Sequence, residues 1–267
     1  MSLKPITVNI SEYPEQLCHY LSGAKLYDSS CSPNAKVIFI DRDHGYFLKI
    51  GDIGDLDREY QLTRYFYSKG LATRVVHYCF DMGHDYLLTE KIQGDDCTAL
   101  KYLEQPERLA ETLGERLALL HSVDYSDFNT VAECPANHTE LYLNRAEINY
   151  LHQHYDLSLF PDNWGYASPQ EAYAVIEANK HRLQVNTLLH GDYCLPNVIL
   201  NDWRFSGFID LDGGGIGDRH VDLFWGAWTL NFNLKTDKYR RRFFDAYGRD
   251  IIDEEMLRLV AACEVFG

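Results

Sequence analysis

The sequence lacks any apolar run approaching the roughly 18 residues that a membrane-spanning helix needs. Its N-terminus also lacks the cationic and then apolar pattern of a secretion signal. The seven cysteines are scattered along the chain, and no two are spaced as C-x-x-C. This pattern indicates free thiols in a reducing cytoplasm, rather than a disulfide framework or a structural zinc site. We therefore expect a cytoplasmic protein without a membrane partner.

Positive charge is also scarce in this chain. There are 25 Lys and Arg residues against 40 Asp and Glu residues, which gives a formal net charge of −15. Such a surface repels nucleic acid and would attract a cationic ligand. Acidity also serves solubility in many proteins, so the charge excludes a nucleic-acid partner more firmly than it identifies a ligand.

The chain has 267 residues, 46% of them hydrophobic, which is enough for one large domain or two lobes. The first ninety or so residues predict several strands and one helix. "KVIFIDRDHGYFLKI" predicts a β-hairpin, and "LDREYQLTRYFYSKG" predicts a helix that ends at Gly70. Two further strands are predicted in "VVHYCF" and "DYLLTEKI", before a change of composition near residues 93–96.

From about residue 101 the pattern is mostly helical. Leucines recur at three- and four-residue spacing at positions 109, 113, 117 and 120, which predicts an amphipathic helix. "GGGIG" at 213–217 lacks the context of a P-loop, and we interpret it as a flexible segment. The predicted fold class is α+β, with an N-terminal antiparallel β-sheet lobe over 1–93 and a larger helical lobe over 94–267.

The segment "LLHGDYCLPNVILNDWRFSGFIDLD" (188–212) carries the chemistry. Residues 198–200 and 207–209 predict paired strands joined by a turn at 202–204. Such a hairpin would bring Asn197 and Asp210 together at its open end. Amide and carboxylate oxygens are ligands that suit Mg²⁺, especially beside substrate phosphates. Asp192 precedes Asn197 by five residues, on the loop that enters the hairpin.

These residue types are the parts of a kinase-type phosphoryl-transfer site. His190, Asp192, Asn197 and Asp210 follow the order of the protein-kinase signature. Asp and Asn also favour turns, which would explain any one of them alone. All four in register are better explained by a catalytic site.

A kinase also needs a lysine for the nucleotide phosphates and a helix glutamate to hold that lysine. Lys49 lies inside an apolar strand, and Glu59 shares a predicted buried helix face with Leu62 and Phe66. A buried carboxylate is unfavourable without a partner, so we predict that Glu59 pairs with Lys49. The alternative is a lysine at a strand edge and a solvated glutamate.

"HGDYCLPNVILNDWRFSGFID" resembles the catalytic segment of the aminoglycoside 3'-phosphotransferases, small-molecule kinases with a protein-kinase-like fold. The likeness extends over nearly the whole chain, from "LKI" and "REYQL" to "CEVF". It implies that Asp192 is the catalytic residue, that Asn197 and Asp210 bind Mg²⁺, and that Lys49 and Glu59 form the ion pair that holds the phosphates.

The resemblance further implies ATP or GTP as the phosphoryl donor, bound between the lobes, and the 3'-hydroxyl of an aminoglycoside as the acceptor. It places a nucleotide-binding loop near Ser30 and a purine-binding connector at residues 90–92, which includes Ile92. Asp222 resembles an acid that braces the catalytic loop, a structural role.

The acceptor-binding positions depart from the family pattern. Four residues match substrate-binding positions, namely Asp162, Asn163, Glu264 and Phe266. Acids expected at four other positions are replaced, by Gly165, Phe232, Asn233 and Cys263. We therefore expect a cationic or polyhydroxylated small-molecule acceptor, and three alternatives stay open. They are a kinase of the same fold for a sugar or amino alcohol, a nucleotide-binding module without turnover, and, last, a metal-dependent hydrolase.

Overall fold

The computed structural model describes residues 4–30, 36–158 and 164–267. The chain divides into two compact units. Unit 1 comprises Met1–Gly94 and Ser206–Asp212, and unit 2 comprises Asp95–Phe205 and Gly213–Gly267. Within the described ranges, no helix is both long and apolar enough to cross a membrane.

Unit 1 contains a six-stranded sheet in the order β1-β2-β3-β4-β6-β5, and each neighbouring pair is antiparallel. Its strands are β1 (Lys4–Ile6), β2 (Lys25–Asp28), β3 (Lys36–Asp41), β4 (Tyr46–Asp52), β5 (Val75–Asp81) and β6 (His84–Glu90). Its helices are α1 (Glu15–Leu21) and α2 (Asp57–Ser68). The predicted hairpin, the two further strands and the helix with Gly70 just beyond its end are confirmed, and Gly70 has the left-handed φ of +72°.

The prediction of one helix in this part of the chain was wrong, because α1 also forms. It has only seven residues, too few for a clear helical period. Leu17 and Leu21, one helical turn apart, are buried against Ile38, Ile40 and Leu48 of the sheet. Packing on the sheet therefore stabilises a helix that is too short to be stable alone.

Unit 2 is mainly helical. Its helices are α3 (Leu100–Leu103), α4 (Pro106–His121), α5 (Phe128–Val131), α6 (His138–Leu151), α7 (Pro169–Asn179), α8 (His220–Leu234), α9 (Arg240–Tyr247) and α10 (Glu254–Glu264). Its strands are β7 (Asp95–Asp96), β8 (Thr187–Leu189), β9 (Val198–Asn201), the start of β10 (Arg204–Phe208), and β11 (Gly215–Gly217). The four leucines predicted to face the core from α4 are all buried, so the predicted α+β class and the amphipathic helix are confirmed.

The remaining strands form two small sheets, one in the order β10-β9-β7 and one that pairs β11 with β8. The second corrects the prediction of a flexible segment at 213–217, because Gly215–Gly217 pairs with Thr187–Leu189 and is buried. A Cβ on Gly217 would lie 2.8 Å from Leu189 Cδ1, so glycine serves close packing there rather than flexibility.

Candidate active site

In unit 1, β4 and α2 bring the predicted lysine and glutamate into contact. Lys49 Nζ lies 2.6 Å from Glu59 Oε2 and 2.8 Å from Asp210 Oδ1. Glu59 is only 7% exposed, which excludes the alternative of a solvated glutamate. The predicted contact is confirmed, while the role of the pair towards a nucleotide stays a prediction.

The charges of this cluster depend on one another. Burial alone would lower the pKa of Lys49, but the carboxylates of Glu59 and Asp210 outweigh it and raise that pKa. Burial raises the pKa of Glu59, an effect that the Lys49 ammonium only partly offsets. Lys49 is therefore a firmly charged cation, and Glu59 depends on it.

The segment that carries Asp210 is held in unit 1 by backbone contacts. The Phe208 N–H donates to Leu71 O at 2.8 Å, and Phe208 forms a β-bridge with Ala72. The Arg58 guanidinium donates to Asp212 O at 3.0 Å. These contacts fix both ends of the short segment, so that Asp210 reaches Lys49.

In unit 2, Asn197 holds the predicted catalytic carboxylate. Its side-chain nitrogen donates to Asp192 Oδ2 at 2.8 Å and to Asp192 O at 3.0 Å. The Asp192 N–H donates to His190 Nδ1 at 3.3 Å. Asp192 is thus oriented by its neighbours, and the amide oxygen of Asn197 is the atom of that side chain suited to a cation.

Asp222, in the first turn of α8, anchors the loop that carries Asp192. Its two carboxylate oxygens accept from the N–H groups of His190 and Gly191, each at 2.8 Å. The third partner is His121 Nε2 at 3.0 Å. Burial alone would raise the pKa of Asp222, but the hydrogen bonds to its charged form, led by that of His121, hold the pKa below its usual value.

Burial lowers the pKa of His121, which favours its neutral form. Because the Asp222 carboxylate can only accept, His121 Nε2 donates to it, and in the neutral ring Nδ1 then accepts from the Tyr247 hydroxyl, which lies 2.8 Å away. Sequence reasoning missed His121 and Tyr247, since they lie 101 and 25 positions from Asp222 and share no local pattern with it.

Gly191 allows the loop to turn beside Gly213. Its φ is +85°, and a Cβ there would lie 1.8 Å from Gly213 O. Any other residue would both strain the backbone and collide with a carbonyl group. The loop next to Asp192 therefore requires glycine.

Unit 2 also contains a cavity of about 570 Å³, within the size range of small-molecule sites. Asp192 and Glu264 both line it, so the structure brings these two predicted residues to one cavity. The other lining residues are Arg145, Gly191, Cys194, Pro196, Gly213, Trp225, Trp228, Thr229, Phe232, Asn233 and Gly267. Sequence reasoning missed Arg145, Trp225 and Trp228, although the aromatic spacing in "WGAWTLNF" could have indicated the two tryptophans.

Glu264 is buried at the wall of this cavity. Its Oε1 accepts from the Tyr142 hydroxyl at 2.9 Å and from Trp225 Nε1 at 3.1 Å, and its Oε2 lies 3.2 Å from Arg145 Nη2. Burial raises the pKa of Glu264, and Arg145 partly offsets this effect. The carboxylate is therefore already satisfied within the protein.

The two other residues predicted to bind the nucleotide, Ser30 and Ile92, lie in unit 1. The Ser30 hydroxyl oxygen accepts from the Val37 N–H at 3.0 Å, and Ile92 is half-buried beside Gly207. Asp162 and Asn163 lie outside the described residues.

The assignment of Phe266 needs correction. Its side chain is fully buried against the rings of Tyr150 and Tyr173, and Gly267 lines the cavity instead. Its aromatic ring therefore serves the core of unit 2.

The prediction of a hairpin after Asn197 is confirmed, but its second strand is Arg204–Phe208 rather than the predicted 207–209, and its turn is correspondingly shorter. β9 and β10 are neighbours in their sheet, and the two residues between them, Asp202 and Trp203, both have positive φ. Positive φ at both central positions is typical of a two-residue hairpin turn. Asn197 belongs to unit 2 and Asp210 to unit 1. Their joint binding of Mg²⁺ stays a prediction.

Known proteins are similar to this chain over most of its length. The sequence profile of the phosphotransferase enzyme family matches residues 30–260. A protein of Lactococcus lactis subsp. lactis, named probable aminoglycoside 3'-phosphotransferase, is 50% identical over 267 residues, which are 100% of this chain and 99% of that protein.

Two solved structures show the fold. An aminoglycoside-3'-phosphotransferase of type VIII has a TM-score of 0.73 and 22% identity over 96% of each chain. APH(3'')-Id from Streptomyces rimosus, in complex with ADP and streptomycin, has a TM-score of 0.70 and 19% identity over 86% of this chain and 90% of that one. They confirm the predicted fold.

The ion pair of unit 1 predicts a pH-dependent loss of stability in Lys49→Met. Without its cation, Glu59 should have a still higher pKa in the folded state, against about 4.3 when unfolded. Between these pKa values the folded variant binds more protons than the unfolded one, so its free energy of unfolding falls as pH rises. We expect the free energy of unfolding of Lys49→Met to be roughly 1–3 kcal/mol lower than that of the unaltered chain at about pH 8, and this difference to shrink towards about pH 5.

Urea unfolding at both pH values measures this effect. The matched control is the double variant Lys49→Met/Glu59→Gln, which lacks the buried carboxylate and should show a deficit independent of pH. An equal deficit at both pH values in Lys49→Met would contradict the dependence of Glu59 on Lys49.

Proposed function

The chain belongs to the phosphotransferase enzyme family, and from that premise we propose that it transfers the γ-phosphoryl group of ATP or GTP to an aminoglycoside 3'-hydroxyl. The observation that carries this proposal is the fixed Asp192, held by Asn197 and by the loop on Asp222, at the wall of a cavity of small-molecule size. The relative from L. lactis, whose name states this activity, supports the choice of acceptor.

On the acceptor side, Asp192 acts on the hydroxyl group. It accepts the hydroxyl proton while that oxygen forms its bond to the γ-phosphorus. The bond from the γ-phosphorus to the oxygen shared with the β-phosphate breaks, and the nucleoside diphosphate leaves. Because little covalent chemistry falls to the protein in phosphoryl transfer, the rate depends mainly on positioning and on stabilised charge.

On the donor side, Lys49 contacts the α- and β-phosphates, with Glu59 holding its ammonium group in place. The raised pKa of Lys49 supports this role, because the cation stays charged across the physiological pH range. Ser30 and the backbone near Ile92 contribute to nucleotide binding in this proposal.

The donor set also fits Mg²⁺. Asn197 uses its side-chain nitrogen on Asp192 and keeps an amide oxygen for a cation, and Asp210 has a second carboxylate oxygen besides the one on Lys49. These are hard oxygen ligands, of the kind that hold Mg²⁺ together with substrate phosphates. When bound, the ion would neutralise charge that develops on the phosphates.

Asp192→Asn tests the role of the carboxylate. The amide cannot take up the hydroxyl proton, so kcat should fall by roughly 10²–10⁴-fold. Nucleotide affinity, measured by calorimetry, should stay within about threefold of the unaltered chain, because donor binding is assigned to other residues. Asp250→Asn, an exposed acid of unit 2, is the control and should leave both values unchanged. An equal loss of turnover and nucleotide affinity would mean that the role is misassigned.

A panel of acceptors tests the reaction itself. We expect phosphate transfer to 4,5- and 4,6-linked aminoglycosides that carry a 3'-hydroxyl, and none to their 3'-deoxy counterparts, with the phosphorylated position found by ³¹P NMR. Equal transfer to the 3'-hydroxyl compounds and to their 3'-deoxy counterparts would show that a different hydroxyl group is phosphorylated. Transfer to a simple sugar or amino alcohol but to no aminoglycoside would establish the kinase of other small hydroxyl compounds instead.

A further inference from the structure

The connection between β4 and α2 determines where Glu59 lies relative to Lys49. Lys49 belongs to β4 and Glu59 to the first turn of α2, and residues 53–56 join the two elements. Leu56, the N-cap residue of α2, has an aliphatic side chain that cannot accept a hydrogen bond from the helix. The start of α2 therefore depends on acceptors from elsewhere in unit 1.

A buried carboxylate of β6 provides such an acceptor. Asp85 is 1% exposed, and its Oδ2 accepts from the N–H groups of Gly54 at 2.9 Å and Leu56 at 3.1 Å. The first N–H groups of a helix have no partner within it, so Asp85 satisfies one of them from a neighbouring strand. Its negative charge is also favourable at the positive end of the helix dipole.

The same carboxylate oxygen holds the first turn of α2 by a second route, through Tyr78 of β5. The Tyr78 hydroxyl donates to Asp85 Oδ2 at 3.1 Å. The Tyr78 ring stacks on the ring of Tyr60, with ring centres 4.3 Å apart and an interplanar angle of 13°. Tyr60 directly follows Glu59 in α2. One oxygen atom therefore fixes both the start of the helix and the residue next to Glu59.

The sheet places Asp85 on the face that carries Lys49. In the antiparallel pair of β4 and β6, Lys49 lies opposite Leu87 and Gly51 lies opposite Asp85. Because side chains alternate along a strand, Asp85 and Leu87 point to the same face of the sheet as Lys49. The carboxylate thus holds the start of α2 on the face from which Lys49 reaches Glu59.

We propose that Asp85 is a positioning residue for nucleotide binding, which acts by holding Glu59 against Lys49. Its hydrogen bonds go to the connection and to Tyr78, so it acts through α2 rather than on the nucleotide. Without Asp85, two backbone N–H groups lose their acceptor, and the start of α2 is free to move relative to β4. This inference rests on the proposed function and concerns its donor side.

The first test compares Asp85→Ala and Asp85→Asn with the unaltered chain, with AMP-PNP and Mg²⁺ as the probe and no acceptor present. We expect Asp85→Ala to raise the calorimetric Kd of AMP-PNP about 5- to 30-fold, because Glu59 no longer holds Lys49 in place. All three donors meet at one oxygen, so the amide oxygen in Asp85→Asn can replace it and should recover most of the affinity. Circular dichroism confirms that each variant is folded, and an unchanged Kd in folded Asp85→Ala would overturn the proposal.

Arg42→Ala is the matched control for a general loss of stability in unit 1. The Arg42 guanidinium donates to two backbone oxygens at the C-terminus of α1. That helix packs on Leu48, which points to the opposite face of the sheet from Lys49. We expect Arg42→Ala to lower the free energy of unfolding and to leave the Kd of AMP-PNP unchanged. A rise in Kd equal to that of Asp85→Ala would attribute both effects to lost stability and contradict the proposal.

A double-mutant cycle with Glu59→Gln tests the route by which Asp85 acts. We expect Glu59→Gln alone to raise the Kd of AMP-PNP about tenfold, because Lys49 loses one of its two carboxylate partners. If Asp85 acts through Glu59, adding Asp85→Ala to Glu59→Gln should change the Kd by less than about threefold. A larger further increase would show that Asp85 affects the nucleotide by another route, against the proposal.

The outcomes separate this inference from the proposed function. A Kd that rises in Glu59→Gln but not in Asp85→Ala would overturn the inference alone. An unchanged Kd in Glu59→Gln would overturn the role of Glu59 in donor binding, and the inference with it. If no aminoglycoside is phosphorylated, the proposed acceptor is wrong, while the Kd values of AMP-PNP still support or overturn the inference.

Discussion

The candidate site depends on one buried carboxylate. Asp222 is fully buried and accepts hydrogen bonds from two consecutive backbone N–H groups and from the buried side chain of His121. A buried charge is tolerated only when it is fully hydrogen-bonded. Here two of the hydrogen-bond donors are backbone N–H groups of the loop that carries Asp192. The charge that would otherwise destabilise the fold therefore fixes the position of Asp192.

The same logic applies in unit 1, where the partners are side chains. Lys49 has two carboxylate partners, and Glu59 is buried where only a cation makes its charge acceptable. In the proposed reaction, each unit thus keeps a charged group in place through partners that do not themselves react. Such preorganisation is the main contribution of a protein to phosphoryl transfer, since the bonds that change belong to the substrates.

Sequence reasoning predicted the elements whose signals are local. The hairpins, α2 and the contact between Lys49 and Glu59 follow from strand and helix periods and from the penalty for a buried charge. The short α1 and the strand Gly215–Gly217 form only because they pack on distant elements, so their sequences carry little signal. The partners of Glu264 and Asp222 come from positions more than 20 residues away, and no local pattern specifies such contacts.

The central claim is that Asp222 holds the loop that positions Asp192, and Asp222→Asn tests it most directly. The amide keeps the size of the side chain but replaces an acceptor by a donor, so one backbone N–H loses its partner. We expect the backbone amides of His190 and Gly191 to exchange hydrogen faster in this variant than in the unaltered chain. In the same variant kcat should fall by roughly 10²-fold, while the affinity for the nucleotide is retained. Unchanged exchange at both amides together with unchanged kcat would contradict the account.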